Sequence, residues 1–322
     1  MNKAHFILLF ISIFFISCKE DNTIARKTTG KINNVSVIID DLLWNGEIGD
    51  SIRNKFASPV LGLTQEEPLF TINQYPARLL EGFVTDSRSI IVVKKATTEK
   101  FEITHSKSLP HNTFRIYGKS VDDILCSIEL NSGQIIKIIR DAEIQKIQED
   151  NSKSLLNPTV IKNKFHIDLQ IPTGYEYMLH KRNFIWLKKD IISGNTSLLI
   201  YQIPLRSFKK SSDLVNSITK MRDSVGYYIK GREPNTRMIT GEAYAPYFST
   251  TMLDGKKAYE TKGTWELKND FMAGPFINYA IVDKTYNRIL VIEGFCYSPS
   301  NQERDLMFDL EAIIKSVKID KR

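Results

Sequence analysis

Leu253–Leu267 reads LDGKKAYETKGTWEL, and this stretch decides the fold of the second half of the chain. Asp254-Gly255 is a two-residue hairpin signature, because glycine tolerates the positive φ that such a turn requires. Downstream of it, Tyr259 and Trp265 fall on alternating strand positions with Lys262 between them, so one face is packed and the other wet. The turn therefore joins antiparallel strands at about 247–253 and 256–267. Two further strands follow at about 276–282 and 288–296. The segment from Asn301 to Ser316 carries Leu306, Leu310, Ile313 and Ile314 as one helical stripe.

Working upstream, a helix capped by Ser212 puts Leu214, Ile218, Met221 and Val225 on one side. Ser197–Ile203 is a strand stopped by Pro204. Tyr175–Leu179 and Phe184–Lys188 form a hairpin, and Phe165–Ile171 (FHIDLQI) alternates as a strand. The polar run Gln148–Lys153 followed by Asn157-Pro158 marks a boundary between two halves. In the first half, Val35, Val37, Ile38 and Ile39 suggest a buried strand over 34–40, and Ile48, Ile52 and Phe56 recur every four residues as a helix ending before Pro59. Strands are expected at Leu69–Ile72, Ser89–Lys94 and Thr113–Tyr117. Ser120 caps a helix that Gly133 interrupts, with a second helix running on towards Ile147. The expected architecture is α+β in two domains, 32–150 and 155–322, the second a curved antiparallel sheet flanked by helices. Residues 155–322 are expected to fold alone.

With 322 residues, 42% hydrophobic and 10% aromatic, the composition is that of a folded chain and not a disordered one. The formal charge is +7, but the basic pairs Lys94-Lys95, Lys188-Lys189, Lys209-Lys210 and Lys256-Lys257 are scattered and balanced by 37 acids. No nucleic-acid motif accompanies them, which leaves a solvated face and excludes nucleic acid as a partner.

The beginning of the chain carries the most specific signal. Lys3 precedes the apolar run Phe6–Ser17 (FILLFISIFFIS). As a helix that run spans about 18 Å at about 1.5 Å per residue, short of the ~30 Å hydrocarbon core. It suits a signal peptide over 1–17 better than a membrane span. Ser17 directly before Cys18 resembles the bacterial lipobox, with Phe15 where leucine is usual. That resemblance implies a diacylglyceryl thioether on Cys18, cleavage before it, and acylation of the freed amine, with palmitate among the chains. Two or three acyl chains at about 0.8 kcal/mol per buried CH₂ hold a protein firmly. Lys19-Glu20-Asp21-Asn22 resembles the surface-export signal of Bacteroidetes lipoproteins, and the polar segment 18–31 reads as a flexible tether. The expected place is the outer membrane, lipid-anchored and exposed at the cell surface. Cys126 and Cys296 lie in apolar surroundings and read as two separate buried thiols in preference to a disulfide joining the two halves.

Asp40–Pro76 (DDLLWNGEIGDSIRNKFASPVLGLTQEEPLFTINQYP) resembles a family of uncharacterised Bacteroidetes lipoproteins with a domain of unknown function. The resemblance covers most of the mature chain and implies an envelope location without an activity. LDGKKAYETKGTWEL, RILVIEGFCYSP and IIKSVKI resemble the PsbP-like fold. That likeness implies a curved antiparallel sheet between helices and a non-catalytic binding or assembly role.

No nucleophile elbow, H-E-x-x-H, Walker A loop or Rossmann glycine run occurs, and no cofactor is implied. His105, His111, His166 and His180 show no metal-ligand spacing. Asp40, Asp41, Glu47 and Asp50 read as helix capping in preference to a calcium or general-acid site. Trp44 reads as a core plug, and Glu66-Glu67-Pro68 as a solvated turn. Gly241–Ser249 (GEAYAPYFS) places Tyr244, Tyr247 and Phe248 around Pro246. Flat aromatics there suit stacking on a sugar ring or gripping a peptide, set against packing of the loop onto its own sheet. The expected function is a membrane-anchored, non-catalytic binding or assembly factor whose partner is an envelope protein, glycan or lipid. The alternative is an envelope hydrolase whose site assembles only in three dimensions.

Overall fold

The computed structural model of the protein describes residues 30–79, 88–105, 112–208 and 213–321. The expected leader, Cys18, nearly all of the expected tether, His111 and Ser212 lie outside them.

The first half runs β1 (Asn34–Ile39), α1 (Asp41–Trp44), α2 (Glu47–Phe56), β2 (Thr71–Tyr75), β3 (Ser89–Lys95), β4 (Lys100–His105), β5 (Asn112–Gly118) and α3 (Val121–Asn151). Its sheet has the order β2-β1-β3-β5-β4. Strands β2, β1, β3 and β5 are parallel, and β4 is an antiparallel edge. Central parallel strands are covered on both faces and need near-continuous apolar runs, which Val35–Ile39 and Ile90–Val93 supply. One face packs on α2 through Ile48, Ile52 and Phe56, and on α3 through Ile124, Ile128, Ile135 and Ile139.

One expectation fails here. The break at Gly133 does not occur; α3 is one helix of 31 residues. Gly133 faces open space, so it costs about 1 kcal/mol of helix propensity while the buried stripe continues past it from Ile128 to Ile135. Strand β4 is also additional to the sequence reading. Only Phe101 and Ile103 of it touch the core, too short an alternation to stand out.

The second half runs α4 (Thr159–Phe165), β6 (Ile167–Asp168), β7 (Glu176–Lys181), β8 (Phe184–Ile191), β9 (Gly194–Pro204), α5 (Leu214–Gly226), β10 (Arg237–Thr240), β11 (Tyr247–Leu253), β12 (Lys256–Lys268), β13 (Ala273–Asp283), β14 (Arg288–Tyr297), α6 (Arg304–Lys315) and β15 (Lys318–Ile319). Its large sheet has the order β10-β12-β13-β14-β9-β8-β7, with β11 also on β12, and its pairs are antiparallel. The chain is thus α+β, with an antiparallel sheet flanked by helices in its second half. The turn that joins β11 to β12 has Asp254 at φ 47° and Gly255 at φ 70°, as the Asp-Gly pair dictates. The expected strand Phe165–Ile171 shrinks to β6. Phe165 ends α4, and His166 turns the chain with φ 52° before β6 pairs with β15.

Alternation along the strands gives the sheet two apolar faces. Leu198, Ile200, Ile277, Tyr279, Leu290 and Ile292 meet α4 and α6. Leu199, Tyr201, Trp265, Phe276, Val291 and Phe295 meet α5. The helix α6 is buried on both sides, because α3 covers its second face through Ile144 and Ile147 against Phe308 and Ala312. Polar bonds tie the same junction. Arg140 NH2 donates to Glu311 Oε2 at 2.7 Å, Gln148 Nε2 to the Ala312 carbonyl at 2.9 Å, and Asn33 Nδ2 to Asp305 Oδ1 at 2.9 Å.

Candidate functional site: a cleft beside the split edge of the sheet

Strand β12 is thirteen residues long, and two shorter strands share its outer edge. Arg237–Thr240 pair with Lys268–Trp265, and Tyr247–Leu253 pair with Lys262–Lys256. Gly241 still donates its N–H to the Thr264 carbonyl at 2.8 Å. Between Gly241 and Tyr247 the chain bows off the edge, and Tyr244 in the bow is 81% exposed. Opposite it, the turn between β12 and β13 presents Phe271 fully to solvent. Helix α5 closes the third side. It lies hard against β10 because a Cβ on Gly226 would sit 2.1 Å from the Met238 carbonyl oxygen.

These elements enclose a cleft of about 940 Å³. Tyr244 and Phe271 stand in its lining with Asp223, Glu242, Glu266 and Asp270 as acceptors and Arg237, Lys268 and Asn269 as donors. Both kinds of hydrogen-bonding group are therefore within reach of one ligand.

The floor is anchored in the core. Asp223 Oδ1 accepts from the Thr240 N–H and from Thr240 Oγ1, both at 2.8 Å. Arg222 NH1 donates to the same Thr240 oxygen at 3.0 Å, and Arg222 Nε to Glu293 Oε1 at 2.9 Å. Asn278 Nδ2 donates to Glu293 Oε2 at 2.8 Å. Arg222 is 1% exposed and Glu293 0%, and the guanidinium lies 3.8 Å from the Phe276 ring centroid. Burial pushes the Glu293 carboxyl above its ordinary value, opposed by Arg222 and by the Asn278 bond. Burial also raises the Tyr201 hydroxyl, with Glu293 adding to it. Thr240 and Asp223 thus connect a dry ion pair to the open cleft, and each is held by at least two hydrogen bonds.

Of the three aromatics expected to bind, the structure places only Tyr244 in the cleft. Tyr247 and Phe248 lie on β11 outside it, and Phe248 stacks on Tyr259 at 5.8 Å. Phe271, Asp223, Thr240, Arg222 and Glu293 were not singled out from sequence. Two of them were within reach of it. Glu293 shares strand parity with the buried Ile289, Val291 and Phe295, and Arg222 lies four residues from both Ile218 and Gly226 on the buried stripe of α5. A charge on each of two facing apolar stripes signals a pair.

The other candidates separate. Asp40 caps α1 by accepting from the Leu42 N–H at 2.9 Å; Asp41 accepts from Gln74 at 3.0 Å; Asp50 pairs with Arg53 at 2.7 Å. Trp44 is half-buried beneath the Arg53 guanidinium, 4.5 Å away, at the margin of the core. Glu67 is no solvated turn residue. It is 7% exposed and caps α6 from the other half. Its carboxylate accepts the N–H groups of Glu303 and Arg304 at 2.6 and 3.2 Å. The two thiols also differ from expectation: both are free, but only Cys296 is buried, while Cys126 lies on the outer side of α3. Among the described residues no three His, Cys, Asp or Glu side chains gather to hold a metal, and no helix is long and apolar enough to cross a membrane.

Residues 154–316 match the family model described as Domain of unknown function (DUF4837), and residues 28–152 match that described as Domain of unknown function (DUF8532). No curated protein matches the chain. Among solved structures it is similar to the solution structure of cyanobacterial PsbP (CyanoP) from Synechocystis sp. PCC 6803. The identity is 10% over 48% of this chain and 92% of that chain, with a TM-score of 0.28.

Proposed function

The chain belongs to the DUF4837 family, whose function is unknown, and we propose that it is a non-catalytic, lipid-anchored binding factor of the cell envelope whose cleft holds a glycan. The observation that carries this reading is the pair of exposed aromatics, Tyr244 and Phe271, in a cleft whose other side chains are mostly polar. Sugar hydroxyls donate and accept at once, so they favour a wall with both carboxylates and cationic or amide donors. Their C–H faces favour flat aromatic rings. A fixed floor, here Thr240 and Asp223, reduces the ordering cost of binding.

The test is calorimetric titration of soluble oligosaccharides cut from envelope glycans. Each ring contributes about 1 kcal/mol by analogy with aromatic pairs. The double variant Tyr244→Ala/Phe271→Ala is therefore expected to bind roughly thirtyfold more weakly at unchanged melting temperature. Equal affinity of variant and wild type removes the cleft from the account. Turnover of the titrated glycan, seen as released reducing ends, supports the hydrolase reading instead.

The anchor rests on Ser17-Cys18 after the apolar leader. Cys18→Ala is expected to leave the precursor uncleaved and without acyl mass, which mass spectrometry of the N-terminal peptide reads directly. Normal processing and tight membrane association of that variant would exclude lipidation. Glu20→Ala/Asp21→Ala is expected to reduce the digestion of the protein by protease added to intact cells. Unchanged digestion removes surface display and leaves the anchor in place.

A further inference from the structure

A second hollow, of about 280 Å³, lies where the two halves meet. Its walls are aliphatic: Ile32 and Ile147 from the first half, Ile191 and Ile313 from the second. Its polar groups are the carboxylates of Asp150 and Asp309 together with Asn151, Lys189, Tyr175 and Thr196, whose donors are only partly used. Asn151, the last residue of α3, has a buried Nδ2 with no acceptor among the described residues. A buried amide donor left unpaired costs about 1–3 kcal/mol, which a ligand acceptor would recover. Lys189 lines the same hollow and makes no salt bridge among the described residues, whereas its neighbour Lys188 pairs with Asp190 at 2.9 Å. The Tyr175 and Thr196 hydroxyls bond each other at 2.9 Å. Two hydroxyls sharing one bond leave one O–H proton over.

We infer that this hollow binds the carboxylate of a medium-chain acyl anion, with Asn151 and Lys189 on the carboxylate and the isoleucines around the chain. The volume is just below the roughly 300–1,000 Å³ usual for small-molecule sites, which limits the chain to medium length. A ligand with only acceptors at its head satisfies the donors, and the aliphatic wall rejects a polyol.

The charged groups facing the head decide the pH dependence. From α3 comes Asp150, already paired with Lys146 at 2.7 Å and Lys153 at 2.5 Å. From β8 comes Lys189, and from α6 come Asp309 and, next to it, Asp305. Asp309 is open to solvent at the hollow yet enclosed enough that lost hydration, helped by Asp305 and opposed by Lys189, pushes its carboxyl up to about 6. Below that pH it is neutral and compatible with an anion; above it, the two repel. Without ligand, a carboxyl raised in the folded state costs stability once pH passes its ordinary value, and the cost is complete above the raised one. Asp309→Asn is therefore expected to raise Tm by an amount that grows from about pH 4 to pH 7.

The test is titration of sodium octanoate into the protein, with 1-octanol as the uncharged control. Octanoate is expected to bind saturably, at least tenfold more tightly than octanol, with affinity falling as pH rises through about 6. Lys189→Met should weaken octanoate at least tenfold while melting as the wild type does. Asp309→Asn should tighten it above pH 7 and flatten the pH profile. Three results overturn the inference: no saturable octanoate binding, octanol binding as well as octanoate, or Lys189→Met retaining wild-type affinity. Because the glycan cleft shares no residue with this hollow, failure here leaves that reading untouched.

Discussion

Arg222→Met is expected to lower the unfolding free energy by about 3–5 kcal/mol, the cost of leaving one partner of a buried ion pair uncompensated. Glu293 would be left with the Asn278 N–H as its hydrogen-bond donor, in a site with 0% exposure. Thr240 would lose the guanidinium and keep Asp223. Urea denaturation followed by circular dichroism reads the loss. The double variant Arg222→Met/Glu293→Leu is expected to recover much of it, since replacing both charges removes the uncompensated one. A loss under 1 kcal/mol for the single variant would mean that water reaches Glu293 and that the cleft floor is not dry. The pair also bears on function. The recovered double variant should fold yet hold Thr240 and Asp223 less rigidly, and so bind the glycan more weakly than wild type.

The second large effect is at the junction of the halves. Glu67→Ala removes the carboxylate that caps α6 across the junction and leaves two N–H groups in a buried setting. At about 1–3 kcal/mol for each unsatisfied donor, a loss of roughly 2–6 kcal/mol is expected. Glu67→Gln keeps one acceptor oxygen and should lose less. A merely electrostatic role through the helix dipole would be screened by salt. The expected loss is therefore insensitive to added NaCl, and a strongly salt-dependent loss would contradict the cap. The same geometry bears on the expected independence of residues 155–322. That segment alone lacks Glu67 and Arg140 and exposes Phe308 and Ala312. It is expected to melt well below the whole chain.

The central strands of the second half were legible as apolar runs, since the sheet is covered on both faces, and Asp254-Gly255 allows few structures other than a hairpin. The helix stripes of α2 and α6 were legible by their period. Where period was lost, the reading failed. Strand β10 is four residues long, and Phe165 belongs to the stripe of a short helix although it opens an alternating run. Gly133 has the propensity of a helix break, but the buried contacts of Ile128 and Ile135 on either side of it hold α3 together. The site was less legible than the fold. Tyr244 stood out as an aromatic in a loop, but Phe271 is a lone ring in a turn, and its role depends on a cleft formed by residues from α5, β10 and β12. Glu67 read as solvated because its partners are backbone N–H groups more than two hundred residues away, a contact that leaves no trace in local composition.

The most direct test of the central claim is hydrogen–deuterium exchange of the whole protein with and without a saturating envelope oligosaccharide. Slower exchange confined to residues 239–246 and 266–273, with the β7 edge and the junction unchanged, is the predicted result. Protection elsewhere in the chain, or none at a concentration where calorimetry shows full occupancy, would contradict it.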